Sequence, residues 1–148
     1  ERGLLSASGD SFVDYNDCFN WFVELVERYE CLPLVIGYDK WSSLYLVQSL
    51  EQYGFKCDDV YQGDNLWNTM QMFEVALRDE KVNIGHNQLL QMHLLDSAVK
   101  HNEERGRGRL VKIYPNAHID GTASILDAMV MREKYAYEIG EQLKNKGR

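Results

Sequence analysis

Two aspartates stand where they could do chemistry. Asp39 directly follows the unbroken apolar run Leu34-Val35-Ile36-Gly37-Tyr38, and Asp120 lies between Ile119 and Gly121 at the start of a long amphipathic segment. In an open α/β sheet ligands collect beyond the carboxyl ends of the strands, which is the position Asp39 takes. Magnesium and manganese prefer oxygen ligands and take several, completed by water and substrate phosphate, so carboxylates from separate elements suit phosphodiester hydrolysis. With two ions, one activates the attacking water and the other stabilises the departing oxygen, and no protein nucleophile is required. Each aspartate also has a plainer reading, which position alone favours: Asp39 as a turn residue and Asp120 as an N-cap. Asp127 lies seven residues beyond Asp120, on nearly the same helical face but about 10 Å along the axis, so the two cannot easily share one ion. Asp127 therefore reads as a support behind the ligands or a polar residue beside the cleft.

The remaining reactive side chains form weaker patterns. His86, His93, His101 and His118 make neither an HExxH pair nor a compact Cys/His cluster, and no GxxxxGK[ST] loop is present, so neither a structural zinc site nor a nucleotide site of that kind is expected. Trp21, Trp41 and Trp67 are dispersed among amphipathic segments and read as packing rather than base stacking. Cys18, Cys31 and Cys57 stand far apart, as reduced, partly buried thiols would. The densest basic strip runs from Lys100 to Lys112 and holds Lys100, Arg105, Arg107, Arg109 and Lys112 against Glu103 and Glu104. It is a candidate contact for a phosphate backbone and, read locally, a solvated loop.

These residues must be positioned by a compact fold. The 148 residues, with 45% hydrophobic content, suit one domain over 1–148 that buries its own core. No apolar run long enough to span a bilayer occurs, the first residues lack the layout of a signal peptide, and no membrane partner is expected. The 16 basic and 23 acidic residues give a net charge of −7, which argues against a free-standing DNA-coating protein. A nuclease tolerates that balance if a local basic strip faces the DNA and divalent cations neutralise its acidic site.

Hydrophobic periodicity supplies the elements. Residues 3–13 read as a hairpin or strand edge, and Asp14 as the cap of a helix over 16–30 whose buried face carries Phe19, Phe22, Val23, Val26 and Tyr29. The run Leu34–Tyr38 predicts a central strand covered on both faces. A helix capped by Ser42, with Val47 and Leu50 inward, ends at Gly54, and Phe55–Tyr61 reads as a second strand. Helices follow over 66–79 and 89–99, a short strand over 81–84, a loop over 103–108, an extended piece over 110–114 and a last helix from about Asp120 to about Lys144. Strands alternating with helices predict an α/β layered domain.

The order of these segments resembles the C-terminal nuclease domain of the large terminase subunit of tailed bacteriophages. Gly3-Leu4-Leu5 with Gly9-Asp10-Ser11-Phe12-Val13-Asp14-Tyr15 resembles that family's hairpin before the first helix, and Gly37-Tyr38-Asp39-Lys40-Trp41 its strand-end tyrosine-aspartate motif. Val60-Tyr61-Gln62-Gly63 is similar to the next strand. His86-Asn87-Gln88-Leu89-Leu90 resembles a histidine-asparagine-proline segment with Gln88 in place of the proline, and Ile119-Asp120-Gly121 followed by Ala128-Met129 resembles the terminal acidic signature. The resemblance covers roughly residues 3–132 and rests on motif order and spacing together.

It implies a ribonuclease-H-like fold, a mixed central sheet flanked by helices, lacking here its first core strand and so truncated on the N-terminal side. It further implies an endonuclease, dependent on Mg2+ or Mn2+ with two ions in the complete site, that cuts concatemeric double-stranded viral DNA in the cytoplasm of an infected or lysogenic host. Asp39 and Asp120 match positions where the family places metal-binding carboxylates; Asp127 has no equally firm counterpart. A further aspartate belongs to the first core strand, ahead of the hairpin. The expected partners are the terminase ATPase domain, the portal and the small terminase subunit. A different class of function also fits: a non-catalytic ribonuclease-H-like module that docks DNA, the portal or a neighbouring terminase subunit.

Overall fold

The computed structural model describes residue 8, residues 12–40 and residues 44–146. Its elements in chain order are helix α1 (Tyr15–Glu27), strand β1 (Ile36–Asp39), helix α2 (Leu44–Tyr53), strand β2 (Cys57–Val60), a 3-10 turn (Gly63–Leu66), helix α3 (Trp67–Arg78), helix α4 (Gln88–Leu95), strands β3 (Ser97–Asn102) and β4 (Arg107–Lys112), and helices α5 (Asp120–Lys134) and α6 (Ala136–Lys146). Most of the hairpin expected over 3–13 and the cap expected at Ser42 lie outside the described residues.

Strands β1 and β2 pair in parallel, Ile36 opposite Cys57 and Asp39 opposite Val60, with α2 as the crossover between them. Strands β3 and β4 form a separate antiparallel ribbon, Ser97 opposite Lys112 and Asn102 opposite Arg107. Parallel and antiparallel pairing thus both occur, in two sheets of two strands each among the described residues. Helix α5 packs across both parallel strands and against α3 and α4. The main core lies in that sandwich: Val60, Leu66, Met70, Phe73, Leu126 and Met131, with Trp67, Leu94 and Leu110 packed against it. A smaller aromatic group, in which Phe55 meets Phe22 edge-on and stacks on Tyr53, joins α1 to the end of α2.

Several expectations need correction. Residues 81–84 form no strand. Instead the Lys81 amide donates to Ala76 O, with Glu80 at φ 55, which closes the end of α3. Helix α4 stops at Leu95, because Ser97-Ala98-Val99 pairs with β4, a partner that helical spacing cannot reveal. The expected loop over 103–108 is only the turn of that ribbon, with Gly106 at φ 60. The last helix breaks at Tyr135, whose hydroxyl donates to Asp58 at 2.6 Å and whose ring lies under Lys56 Nζ at 3.9 Å. Strand β1 is half-buried along its length rather than covered on both faces. Tyr29 falls beyond the end of α1 and is exposed, and so is Cys31. As expected, Asp14 caps α1, accepting from the Asn16 amide at 2.8 Å.

Candidate metal-binding carboxylates and basic ribbon

The close approach of β1 to α5 begins at a glycine. A Cβ added at Gly37 would lie 2.7 Å from Met131 Cγ and 3.1 Å from the Asp127 carbonyl oxygen, so helix and strand touch where a side chain would hold them apart. Residues two apart in a strand share a face, so Asp39 projects toward α5 from the last position of β1. Opposite it stands Asp127 in the middle of α5. The Asp127 carboxyl is held above the usual carboxylate range, first by burial and further by the charge of Asp39, while a hydrogen bond from Gln62 pulls the other way. Gln62 lies two residues beyond Val60, and its Nε2 donates to Asp127 Oδ1 at 2.8 Å. A neutral amide orients the Asp127 carboxylate without cancelling its charge.

Asp120 is placed differently. It is the first residue of α5 rather than its cap; Ile119 holds the cap position, and no side-chain cap bond is made there. Its side chain is 82% exposed and its nearest ionic partner is His118 Nδ1 at 3.9 Å. A carboxylate in the first turn is favoured by the helix dipole, a sufficient local reason for an Asp at this position. The start of α5 is anchored instead by Gly121, whose amide donates to His93 Nδ1 at 2.9 Å. The structure therefore brings Asp39 together with Asp127 and leaves Asp120 about two turns away along the axis. Among the described residues no three His, Cys, Asp or Glu side chains converge on one point. Two carboxylates nevertheless suit magnesium, which keeps several waters and is commonly held by one or two carboxylates plus substrate phosphate.

The basic strip occupies the ribbon. Opposing residues of an antiparallel pair share a face, so the pairs Lys100/Arg109 and Asn102/Arg107 lie together on the outer side. The inner side is set by Gly108, which is buried: a Cβ there would lie 2.8 Å from Trp67 Cζ3, so only glycine lets the ribbon rest on α3. Arg105 is in the turn and Lys112 at the root, in register with the inner-face Ser97. Lys100 facing Arg109 is a like-charge pair that costs stability unless an anion lies over it. Among the described residues, Lys100, Arg107 and Arg109 have no carboxylate partner, whereas Arg105 Nη1 meets Asp64 Oδ2 at 3.2 Å.

Neither Gln62, named above only within the Val60–Gly63 segment, nor Asp64 was expected at the site. Both sit just past β2, beyond the carboxyl end of a parallel strand, and that position was the available signal for them.

The family described as terminase large subunit, endonuclease domain, matches residues 1–135. Among solved structures, the large terminase of bacteriophage HK97 superimposes with a TM-score of 0.72 at 18% identity, over 86% of this chain and 26% of that one. The likeness shows a shared fold, and this chain spans about a quarter of that protein's length. Curated protein sequences give no match.

Proposed function

Because this chain belongs to the terminase large-subunit endonuclease-domain family, we propose that it is the DNA-cutting part of a phage packaging protein, with Asp39 and Asp127 as the carboxylates of a divalent-cation site. The observation that carries the reading is the close packing of β1 on α5 at Gly37, which sets Asp39 at the carboxyl end of β1 against the half-buried Asp127 on the facing helix, where Gln62 orients it. In this reading Mg2+ or Mn2+ supplies Lewis acidity toward a backbone phosphate and lowers the pKa of attacking water. The protein's own part is positional. Asp39 is held by the β1–β2 register and Asp127 by a helix that cannot tilt away without breaking its contact at Gly37.

A second ion requires a further carboxylate, which the resemblance assigns to the family's first core strand. Lys100, Arg107 and Arg109 form the face that meets double-stranded DNA, with Arg105 at its tip and Lys112 at its root. Concatemeric viral DNA as substrate, and the ATPase domain, portal and small subunit as partners, follow from family membership as part of the same proposal. Asp120 lies outside the ligand set.

The test is plasmid nicking by the full-length protein with Mn2+. Asp39→Asn and Asp127→Asn are expected to abolish cutting and Asp120→Ala to retain it. Unimpaired cutting by Asp127→Asn sinks the assignment, and loss in Asp120→Ala returns the role to that residue. A non-catalytic docking module is the second reading, favoured by the net charge of −7. It predicts no nicking by the wild type and no divalent stabilisation lost on Asp39→Asn.

A further inference from the structure

Beyond the ribbon's outer face lies a second feature that the two carboxylates do not explain. Asp64 and Asn65 of the 3-10 turn, together with Arg105 and Arg107 of the ribbon, line an open polar pocket of ≈ 550 Å³. We propose that it seats one backbone phosphodiester of the DNA, held by Arg105, Arg107 and the amide of Asn65, with Asp64 as the group that holds Arg105 until the phosphate arrives. This inference rests on the proposed function and adds the residues that grip the strand beside the cutting site.

Three observations converge on it. First, the charges balance for an anion: two guanidiniums against one carboxylate leave a net positive pocket, and Arg107 has no ionic partner among the described residues. Second, the Asp64 ion pair engages only Nη1 of Arg105, and that side chain is 70% exposed. A guanidinium carries five N–H donors, so most of Arg105's remain for a phosphate, and an exposed ion pair of this kind is weak. Exchanging the carboxylate for a phosphate is therefore energetically accessible. Third, the pocket is tied to the carboxylate pair through the chain. Gln62, which grips Asp127, precedes Asp64 by two residues, at most about 7 Å of extended backbone. A strand seated here is delivered toward Asp39 and Asp127.

The three polar groups differ in charge, and that makes the seat testable. Binding of a labelled duplex to the full-length protein would be followed by anisotropy in EDTA across a chloride series, with thermal melting as the check on folding. Arg107→Gln removes one phosphate contact and is expected to flatten the logarithmic salt slope by about 0.9, so that its deficit shrinks about 3.5-fold between 50 and 200 mM salt. Asn65→Leu removes a neutral donor and is expected to weaken binding equally at every salt. Asp64→Asn keeps an acceptor for Arg105 but removes the competing charge, so binding tightens and the slope steepens.

Because Asn65 and Arg107 hold the same phosphate, the double variant is expected to lose less than the sum of the single losses. Wild-type affinity in Asn65→Leu, strict additivity, or weaker binding by Asp64→Asn overturns the seat. So does saturable binding of inorganic phosphate that Asn65→Leu removes while duplex affinity stays unchanged, since the pocket is then a free-anion site. The parent reading fails separately: if Lys100→Gln/Arg109→Gln also leaves the slope unchanged, the ribbon does not meet DNA at all.

Discussion

Gly37→Ala tests the packing that underlies the cation site. The added Cβ would come within 2.7 Å of Met131 Cγ, 3.1 Å of Asp127 O and 3.2 Å of Val60 Cγ2. Carbon atoms prefer about 3.5–4.0 Å, so the shortfall at Met131 is about 1 Å. Met131 is 2% exposed and has no solvent to retreat into, and the Asp127 carbonyl belongs to the backbone of α5, so the helix itself must shift. Overpacking of this kind costs about 1–3 kcal/mol. Removing a glycine from the unfolded chain returns about 0.4–1 kcal/mol. At the midpoints, about 2 against about 0.7, the net loss is about 1.3 kcal/mol, or roughly 3–5 °C in Tm for a domain of this size. Metal sites tolerate displacements of only about 0.5 Å, so stabilisation by Mn2+ should shrink at the same time. Thermal melts with EDTA and with a Mn2+ series read both effects. An unchanged or raised Tm would refute the packing estimate. A lowered Tm with the full wild-type Mn2+ response would refute the coupling of Gly37 to the site.

Other expectations follow from the same contacts. Asp58 is held below the usual carboxylate range by hydrogen bonds from Lys134 at 2.6 Å and from Tyr135. Its stabilising contribution is thus complete above the ordinary Asp value and lost as pH falls through its depressed value; Asp58→Asn should flatten that acid limb in melts between pH 2 and 5. Asp127 has the opposite sign. Its raised pKa means that stability falls as pH rises from the ordinary Asp value through the folded one, so in EDTA Asp127→Asn should melt higher than wild type at pH 7 and no higher at pH 3. A lower Tm at pH 7 would contradict that. Burial, with a smaller effect of Glu51, pushes the Cys57 thiol up to about 11, whereas Cys31 is exposed. Iodoacetamide at pH 8 should therefore modify Cys31 well before Cys57 by mass spectrometry, and equal rates would show that β2 opens freely. Leu126→Ala, at a site 1% exposed in the main core, should cost about 2–5 kcal/mol in urea denaturation.

Much of the layered architecture was legible in local pattern. A strand leading into Asp39, Asp14 as a cap and the helical spacing of α2, α3 and α5 depend on neighbours along the chain, and the structure keeps them, with the strand at Ile36–Asp39 rather than Leu34–Tyr38. The ribbon was not legible. Ser97 and Lys112 meet across an antiparallel ladder, and nothing in Leu89–Val99 signals that its last residues have a partner elsewhere. The basic residues were found by composition, but their division into an outer face, a tip and a root depends on strand register.

The sequence by itself determined the chemistry available at the candidate site: carboxylates suited to a hard cation, a basic strip suited to phosphate and an ordered set of motifs that named the family. Tertiary structure alone decided which carboxylates meet. Helix geometry separates Asp120 from Asp127 by about 10 Å, and only the approach of α5 to β1 at Gly37 brings Asp127, rather than Asp120, opposite Asp39. That approach is a contact between residues ninety positions apart, fixed by the absence of a side chain on one and the burial of the other, and neither property can be read from the spacing of either motif.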